Sequence, residues 1–262
     1  MIALDLGAGH AGDIALAYPA IAALQEAGQR VVVKVNPAHR RAFGALAVDW
    51  SANAARGARL LTIGRNGHPV RAWLDQAAAV IGTRPNYRFR PRLPVIGAAR
   101  AAELMPGDRW VVLAPAATRR WKAWGDVAGW AALGDQARLA GYGVAVVGPA
   151  EVAELAAGIA AAAPGVVNLV GQDTPETWPA LIERAAVVVA PDGGTMHVAD
   201  LLGARVVALF GPTDPTRWGP YWCGDFIVQA STGRTGDITV DEISNALADA
   251  LAAADDEREG VA

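Results

Sequence analysis

Residues 187–221 read VVVAPDGGTMHVADLLGARVVALFGPTDPTRWGPY. The β-branched run Val187-Val188-Val189, closed by Ala190, has the pattern of a fully buried strand. It delivers Pro191-Asp192-Gly193-Gly194-Thr195 to the edge of a sheet, where a helix over Thr195–Leu202 is predicted to start. A second strand, Arg205–Phe210, follows. The free N–H groups and positive dipole end of such a helix form an anion site. Gly193 and Gly194 let a ligand approach the backbone closely. Thr195 adds a hydroxyl, and His197 sits early enough in the helix to face the same pocket; alone it would read as a core histidine. Asp192 would repel a phosphate, so it is expected to orient loop amides or bind a hydroxyl.

The same alternation extends backward. Strands are predicted at Trp110–Ala114, Gly143–Val147, Val166–Val170 and Ala186–Ala190, with helices at Asp126–Ala140, Ala150–Ala161 and Pro175–Arg184 between them. Strands alternating with helices give a parallel sheet covered on both faces, hence an α/β fold. Thr239–Ala254 closes the chain as a final helix, and Asp255–Ala262 is expected to fray. Upstream, the proline- and arginine-rich stretch RPNYRFRPRLP (84–94) cannot continue a helix and reads as a connection between domains. The expected domains are 1–95 and 96–262.

The first of these opens β-α-β: Met1–Asp5, a helix over Asp13–Ala27 ended by Gly28, and strand Val31–Val35. Helices at Pro37–Ala47 and Pro69–Ile81 and a short strand at Arg59–Ile63 complete it. Gly7-Ala8-Gly9-His10-Ala11-Gly12 spells the G-x-G-x-x-G of a dinucleotide loop. That reading wants an acidic residue closing the second strand, to hold ribose hydroxyls. Lys34-Val35-Asn36 stands there instead, leaving only a 2′-phosphate for Lys34. Asp13 follows the loop at the head of the helix, either as an N-cap favoured by the dipole or as a general base at the mouth of the sheet.

Bulk properties narrow the class. With 262 residues, 53% hydrophobic and 19% charged, the chain can bury two modest α/β cores. Apolar runs are too short for a membrane span, and the start reads as a strand rather than a leader, so a cytoplasmic location is expected. The single cysteine, Cys223, excludes an internal disulfide and a multi-cysteine zinc site. Residues 1–105 hold 13 Lys and Arg against 6 Asp and Glu, while residues 106–262 hold 10 against 20, so +7 faces −10. A basic front half attracts an anionic partner, or its arginines pair across the domain interface.

The string DGGTMHVADLLGARVVALFGPTDPTRWGP resembles the C-terminal signature of glycosyltransferase family 9, the heptosyltransferases of lipopolysaccharide assembly. Asp192, Gly194, His197, Gly211, Pro212, Thr213, Asp214 and Pro215 carry the match. Gly12, Asp13 and Pro19 in GDIALAYPAIAAL match the family's N-terminal helix start. The resemblance implies a GT-B architecture: two Rossmann-like domains facing a cleft, with the N-terminal domain shortened here. It implies transfer of a heptose or similar sugar, with inversion, from a nucleoside diphosphate donor, ADP being the nucleotide the family leads one to expect, to an anionic acceptor such as a lipopolysaccharide core. Asp13 then acts as base, and Lys122 and Thr118, in the loop after strand Trp110–Ala114, contact the diphosphate. Glu151 meets the ribose, or is simply an early-helix Glu; Asp192, Gly193, Gly194, Thr195 and His197 complete the donor site. Arg119 and Arg120 are either phosphate ligands or solvated, and Trp121 and Trp124 either stack on a ligand or pack.

No separate cofactor and no metal are expected, since no Asp-x-Asp pair occurs and cations with a helix dipole can balance the leaving group. At most peripheral membrane contact is implied. The basic half also suits a nucleic-acid backbone, though no DNA-binding motif is present. A sugar-nucleotide epimerase or hydrolase, or a non-catalytic sugar-nucleotide-binding protein, are the alternatives.

Overall fold

A computed structural model describes residues 1–6, 10–35, 58–62, 67–85, 89–125, 127–172 and 174–260. The expected helix at 37–47, Asn36, Ile63 and the glycines Gly7 and Gly9 lie outside the described residues.

Two parallel sheets organise the chain. The smaller has the order β2-β1-β3, from β1 (Ile2–Asp5), β2 (Val31–Lys34) and β3 (Arg59–Leu61). Helix α1 (Ala11–Glu26) runs between β1 and β2, and α2 (Pro69–Ile81) and α3 (Val95–Leu104) follow β3. Lys34 forms an ion pair with Asp5 across β1 and β2 at 3.0 Å, so its charge serves the sheet. The larger sheet has the order β6-β5-β4-β7-β8-β9, from β4 (Trp110–Leu113), β5 (Gly143–Val146), β6 (Val166–Asn168), β7 (Val187–Pro191), β8 (Arg205–Phe210) and β9 (Phe226–Gln229). Every pairing is parallel, with Val111, Val112 and Leu113 of β4 opposite Val187, Val188 and Val189 of β7. The five residues of β7 are all buried, which is why they are uniformly apolar.

The remaining helices are α4 (Val127–Leu139), α5 (Ala153–Ala162), α6 (Thr177–Glu183), α7 (Gly194–Leu202), the short α8 (Pro215–Trp218) and α9 (Val240–Glu259). They cover both faces of the larger sheet. One core lies beneath α4, α5 and α9, around Trp130, Leu133, Ile159 and Leu247. The other passes from the opposite face through Met196 and Leu201 of α7 to Ile14 and Ile21 of α1, and on to β1 and β2. The two sheets thus share one apolar core, through α1 packed on α7. At about 25 cal/mol per Å² of apolar surface, that continuity opposes separation of the halves.

One expectation is corrected, and three elements appear that the sequence did not announce. The tail from Asp255 does not fray at once, because α9 continues to Glu259. Tyr142 Oη donates to Asp255 Oδ1 at 2.7 Å, Arg109 pairs with Asp255 at 2.8 Å and Arg258 with Asp108 at 2.8 Å, tying the last turns to the sheet. Helix α3 was not expected: Pro94 stands just before it, a permissive position, and Gly97 lets it approach the backbone at Glu176 ahead of α6. Helix α8 and strand β9 were also unforeseen.

Candidate active site

Strand order places the site. The chain moves outward from β4 through β5 to β6, then returns to the other side of β4 as β7, so connections diverge between β4 and β7. In open α/β sheets the crevice at the carboxyl ends of such strands is where ligands bind. The loop after β4 carries Thr118 and Lys122, and the turn after β7 carries Asp192 to Thr195. In the smaller sheet the same divergence falls at β1, whose carboxyl end leads to His10 and α1. The two switch points face each other across a cavity of about 850 Å³.

The nine residues assigned to the base and donor sites all line this cavity: Asp13, Thr118, Lys122, Glu151, Asp192, Gly193, Gly194, Thr195 and His197. Asp13 is not the N-cap of α1. The helix starts earlier, with His10 as N-cap, and Asp13 is its third residue; its Oδ2 accepts from the His10 backbone N–H at 2.8 Å. The carboxylate therefore sits in the first turn, near the positive end of the dipole, and remains exposed at the cavity wall.

Of the partners expected for Asp192, loop amides or a hydroxyl, it meets a hydroxyl, together with a lysine. Its Oδ2 accepts from Lys122 Nζ at 2.5 Å and from Thr213 Oγ1 at 2.6 Å. The Asp192 side chain is 5% exposed and that of Lys122 19%, so the pair is largely dry and firmly set. Lys122 is the last residue of a short 3-10 turn, Arg120–Lys122, that closes the loop after β4. Arg119 and Arg120 are exposed and do not line the cavity, which fits their solvated reading.

The turn after β7 opens on Gly193 and Gly194. Gly193 has an extended backbone, φ 175°, and a side chain there would meet only the Pro191 carbonyl at 3.7 Å, so its hydrogen leaves the cavity floor open. His197 lies one turn into α7, buried, with Nδ1 lacking any hydrogen-bond partner. Burial pushes its pKa down to about 4; Asp192 opposes that shift, while His68 and Lys122 add to it. His197 is therefore neutral at physiological pH and offers a ring N–H or a lone pair, not a cation.

The tryptophans divide differently from expectation. Trp124 is core: its Nε1 donates to the Ile238 carbonyl at 2.7 Å and its ring meets Trp130 edge-on at 5.0 Å. Trp121 is exposed beside Lys122, 5.4 Å from its ammonium, and does not line the cavity. Trp178 of α6 and Trp218 of α8 do line it. Neither was singled out, and the sequence around Trp178 carries no signal for it. Thr213 had one: GPTDP follows β8, the neighbour of β7, so its hydroxyl falls beside Asp192.

Two clamps hold the segment after α8. Asp200 of α7, buried, accepts the backbone N–H groups of Tyr221, Trp222 and Cys223, each at 2.8 Å. His68, at the head of α2, accepts from the Val70 N–H through Nδ1 at 3.2 Å, so Nε2 carries the hydrogen and donates to the Gly219 carbonyl at 2.9 Å. Burial lowers the pKa of His68, against the Gly219 bond and the Asp200 charge.

Two Rossmann-like halves facing one cleft, the first of them short, define a GT-B-like fold. The chain belongs to glycosyltransferase family 9 (heptosyltransferase), whose family model matches residues 64–239. It is 32% identical over 133 residues to lipopolysaccharide heptosyltransferase 3 of Escherichia coli, covering 46% of this chain and 38% of that protein. It is 30% identical over 146 residues to lipooligosaccharide heptosyltransferase 2 of Haemophilus influenzae, covering 54% and 35%. The matched stretch thus spans well under half of either relative. Among solved structures, E. coli ADP-heptose lps heptosyltransferase II superposes with a TM-score of 0.74 at 19% identity, covering 96% of this chain and 99% of that one. The E. coli heptosyltransferase WaaC with ADP gives 0.75 at 18%, covering 95% and 100%.

Among the described residues no helix is long and apolar enough to cross a membrane, and no group of three or more His, Cys, Asp or Glu is placed to hold a metal.

Proposed function

We propose that the protein is an inverting glycosyltransferase that moves a heptose or similar sugar from a nucleoside diphosphate donor to a hydroxyl of an anionic acceptor such as a lipopolysaccharide core. One observation carries the reading. A carboxylate from the smaller sheet's first helix and a lysine, a histidine and a helix N-terminus from the larger sheet line one cavity. Residues 1–95 form the acceptor side and residues 96–262 the donor side. A cytoplasmic location, with at most peripheral membrane contact, suits such a donor.

Donor transfer needs a base on one side of the anomeric carbon and positive charge on the other. Asp13 takes the acceptor hydroxyl proton as the oxygen attacks C1. The bond from C1 to the diphosphate oxygen breaks, and its electron pair leaves on the diphosphate. Lys122, the N–H groups opening α7 and the Thr118 and Thr195 hydroxyls stabilise that charge as preorganised donors. Neutral His197 adds a hydrogen bond rather than a charge. Asp192 and Thr213 fix the ammonium of Lys122. Glu151, exposed on the turn Ala150–Val152 at the cavity rim, is placed for the ribose hydroxyls. ADP is the proposed nucleotide, because WaaC, with the same fold, is solved with ADP and with an ADP-linked heptose analogue. The positive charge comes from Lys122 and α7, so the reaction needs no metal.

The test incubates the purified chain with ADP-heptose and deacylated lipopolysaccharide core, with EDTA in a parallel arm. Acceptor-dependent ADP release that survives EDTA and is lost in Asp13→Asn supports the reading. ADP release without acceptor points to a hydrolase; release unchanged in Asp13→Asn overturns the role of the carboxylate.

A further inference from the structure

Helix α1, which carries Asp13, and helix α7, which opens at the donor side, touch through two glycines. A methyl group added at Gly12 would lie 2.9 Å from Gly194 Cα, 3.6 Å from its nitrogen and 3.4 Å from His197 Cδ2. Gly12 is the second residue of α1 and its φ is not positive, so nothing in its own backbone asks for glycine. Alanine is the better helix former at such a position. What the missing side chain permits is the approach of a second helix from the other half of the molecule.

We propose that Gly12 is a positioning residue: its contact with Gly194 is the spacer that fixes how far the Asp13 carboxylate stands from the donor cradle at the head of α7. This rests on the reading of Asp13 as the base. Asp13 is the next residue, so any displacement of the first turn of α1 moves it directly. The first turn also carries bonds of its own, from the His10 N–H to Asp13 and from the Asp13 and Ile14 N–H groups to the His10 carbonyl, which travel with it. The shared core through α1 and α7 keeps the rest of the helix in place. Separation therefore tilts the catalytic end rather than releasing the helix.

Carbon atoms pack at about 3.5 Å or more, so alanine at position 12 pushes the helix heads apart by about 0.6 Å. Misplacing a reacting group by about 1 Å costs up to about 10²-fold in rate. Gly12→Ala is expected to lower kcat about 10- to 100-fold with ADP-heptose and deacylated core. The methyl's nearest neighbours are Gly194 and His197 rather than Lys122 or Thr118, so most of the rise in Tm with added ADP persists. A methyl that merely filled the cavity would instead raise KM and leave kcat alone.

Gly12→Ala and Asp13→Asn are compared in the full chain by steady-state kinetics and by melting with and without ADP. A fall in kcat for Gly12→Ala, with Asp13→Asn inactive and the ADP shift preserved, supports the spacer. If Asp13→Asn is inactive but Gly12→Ala turns over within twofold of wild type, the spacer is wrong and the base stands. A rise confined to KM overturns it too, as does loss of ADP-dependent melting, since the contact would then hold the fold rather than the reach. If Asp13→Asn stays active, the base reading fails and the spacer with it.

Discussion

Replacing Asp192 with asparagine tests the arrangement around the cationic side of the cleft. The change keeps shape and one acceptor for the Thr213 hydroxyl but removes the charge facing Lys122. Two unit charges 2.5 Å apart attract by about 7 kcal/mol at an effective permittivity of 20. Desolvation offsets part of that, and breaking a buried pair costs about 3 to 5 kcal/mol overall. For a chain of this size 1 kcal/mol moves Tm by about 2 to 4 °C, so Asp192→Asn should melt about 6 to 20 °C lower. ADP should recover much of the loss, because its diphosphate supplies the anion Lys122 has lost and no longer meets a competing carboxylate. The ADP-induced rise in Tm should therefore exceed that of the wild type, while kcat falls because the ammonium is no longer aimed. Differential scanning fluorimetry with and without ADP reads both quantities. An unliganded Tm within 2 °C of wild type, or an ADP shift no larger than that of the wild type, would refute the view that Asp192 holds Lys122 for the diphosphate.

Lys122→Ala removes one preorganised donor and should lower kcat about 10²-fold, with a smaller effect on the KM for ADP-heptose; steady-state kinetics near the wild-type rate would exclude Lys122 from leaving-group stabilisation. The pH dependence of stability should report His197. Its pKa in the fold is about 4, below the ordinary value of 6.5, so the fold favours the neutral ring. That contribution is complete above about pH 6.5 and is lost as pH falls towards 4, by about 3 kcal/mol in all. Urea melts at pH 7 and pH 4.5 should show wild type losing more stability than His197→Met, and equal losses would show that the ring is not held neutral by burial.

Five of the six strands of the larger sheet were legible because each is a short run rich in valine, and the crossover helices are bounded by glycine or proline. Its site was legible for the same reason. Asp192 through His197 follow a strand that the run Val187–Val189 marks as central, and central parallel strands end where ligands bind. What escaped had no local signature. Helix α3 depends on a close approach at Gly97 to a carbonyl preceding a distant helix. The persistence of α9 depends on Tyr142 and Arg109, more than a hundred positions upstream. The partner of Asp192 was not legible, because a carboxylate beside an anion site looks repulsive until Lys122 is seen 2.5 Å away.

Strand order explains why nine residues scattered from position 13 to position 197 meet. In each sheet the first strand in sequence has neighbours from both directions of winding: β1 lies between β2 and β3, and β4 between β5 and β7. Each half therefore opens its crevice at the end of its own first strand, and in each case a helix N-terminus beside that crevice turns its dipole into the cleft. The head of α1 carries Asp13, the proposed base, in its first turn. In the proposed transfer the head of α7 faces the diphosphate as it departs. If the proposed transfer holds, a common physical device serves opposite chemical roles, which stay apart only while the two helix heads keep a fixed separation. On that proposal the side-chain-free contact of Gly12 with Gly194, rather than any charged residue, sets the tolerance of the site.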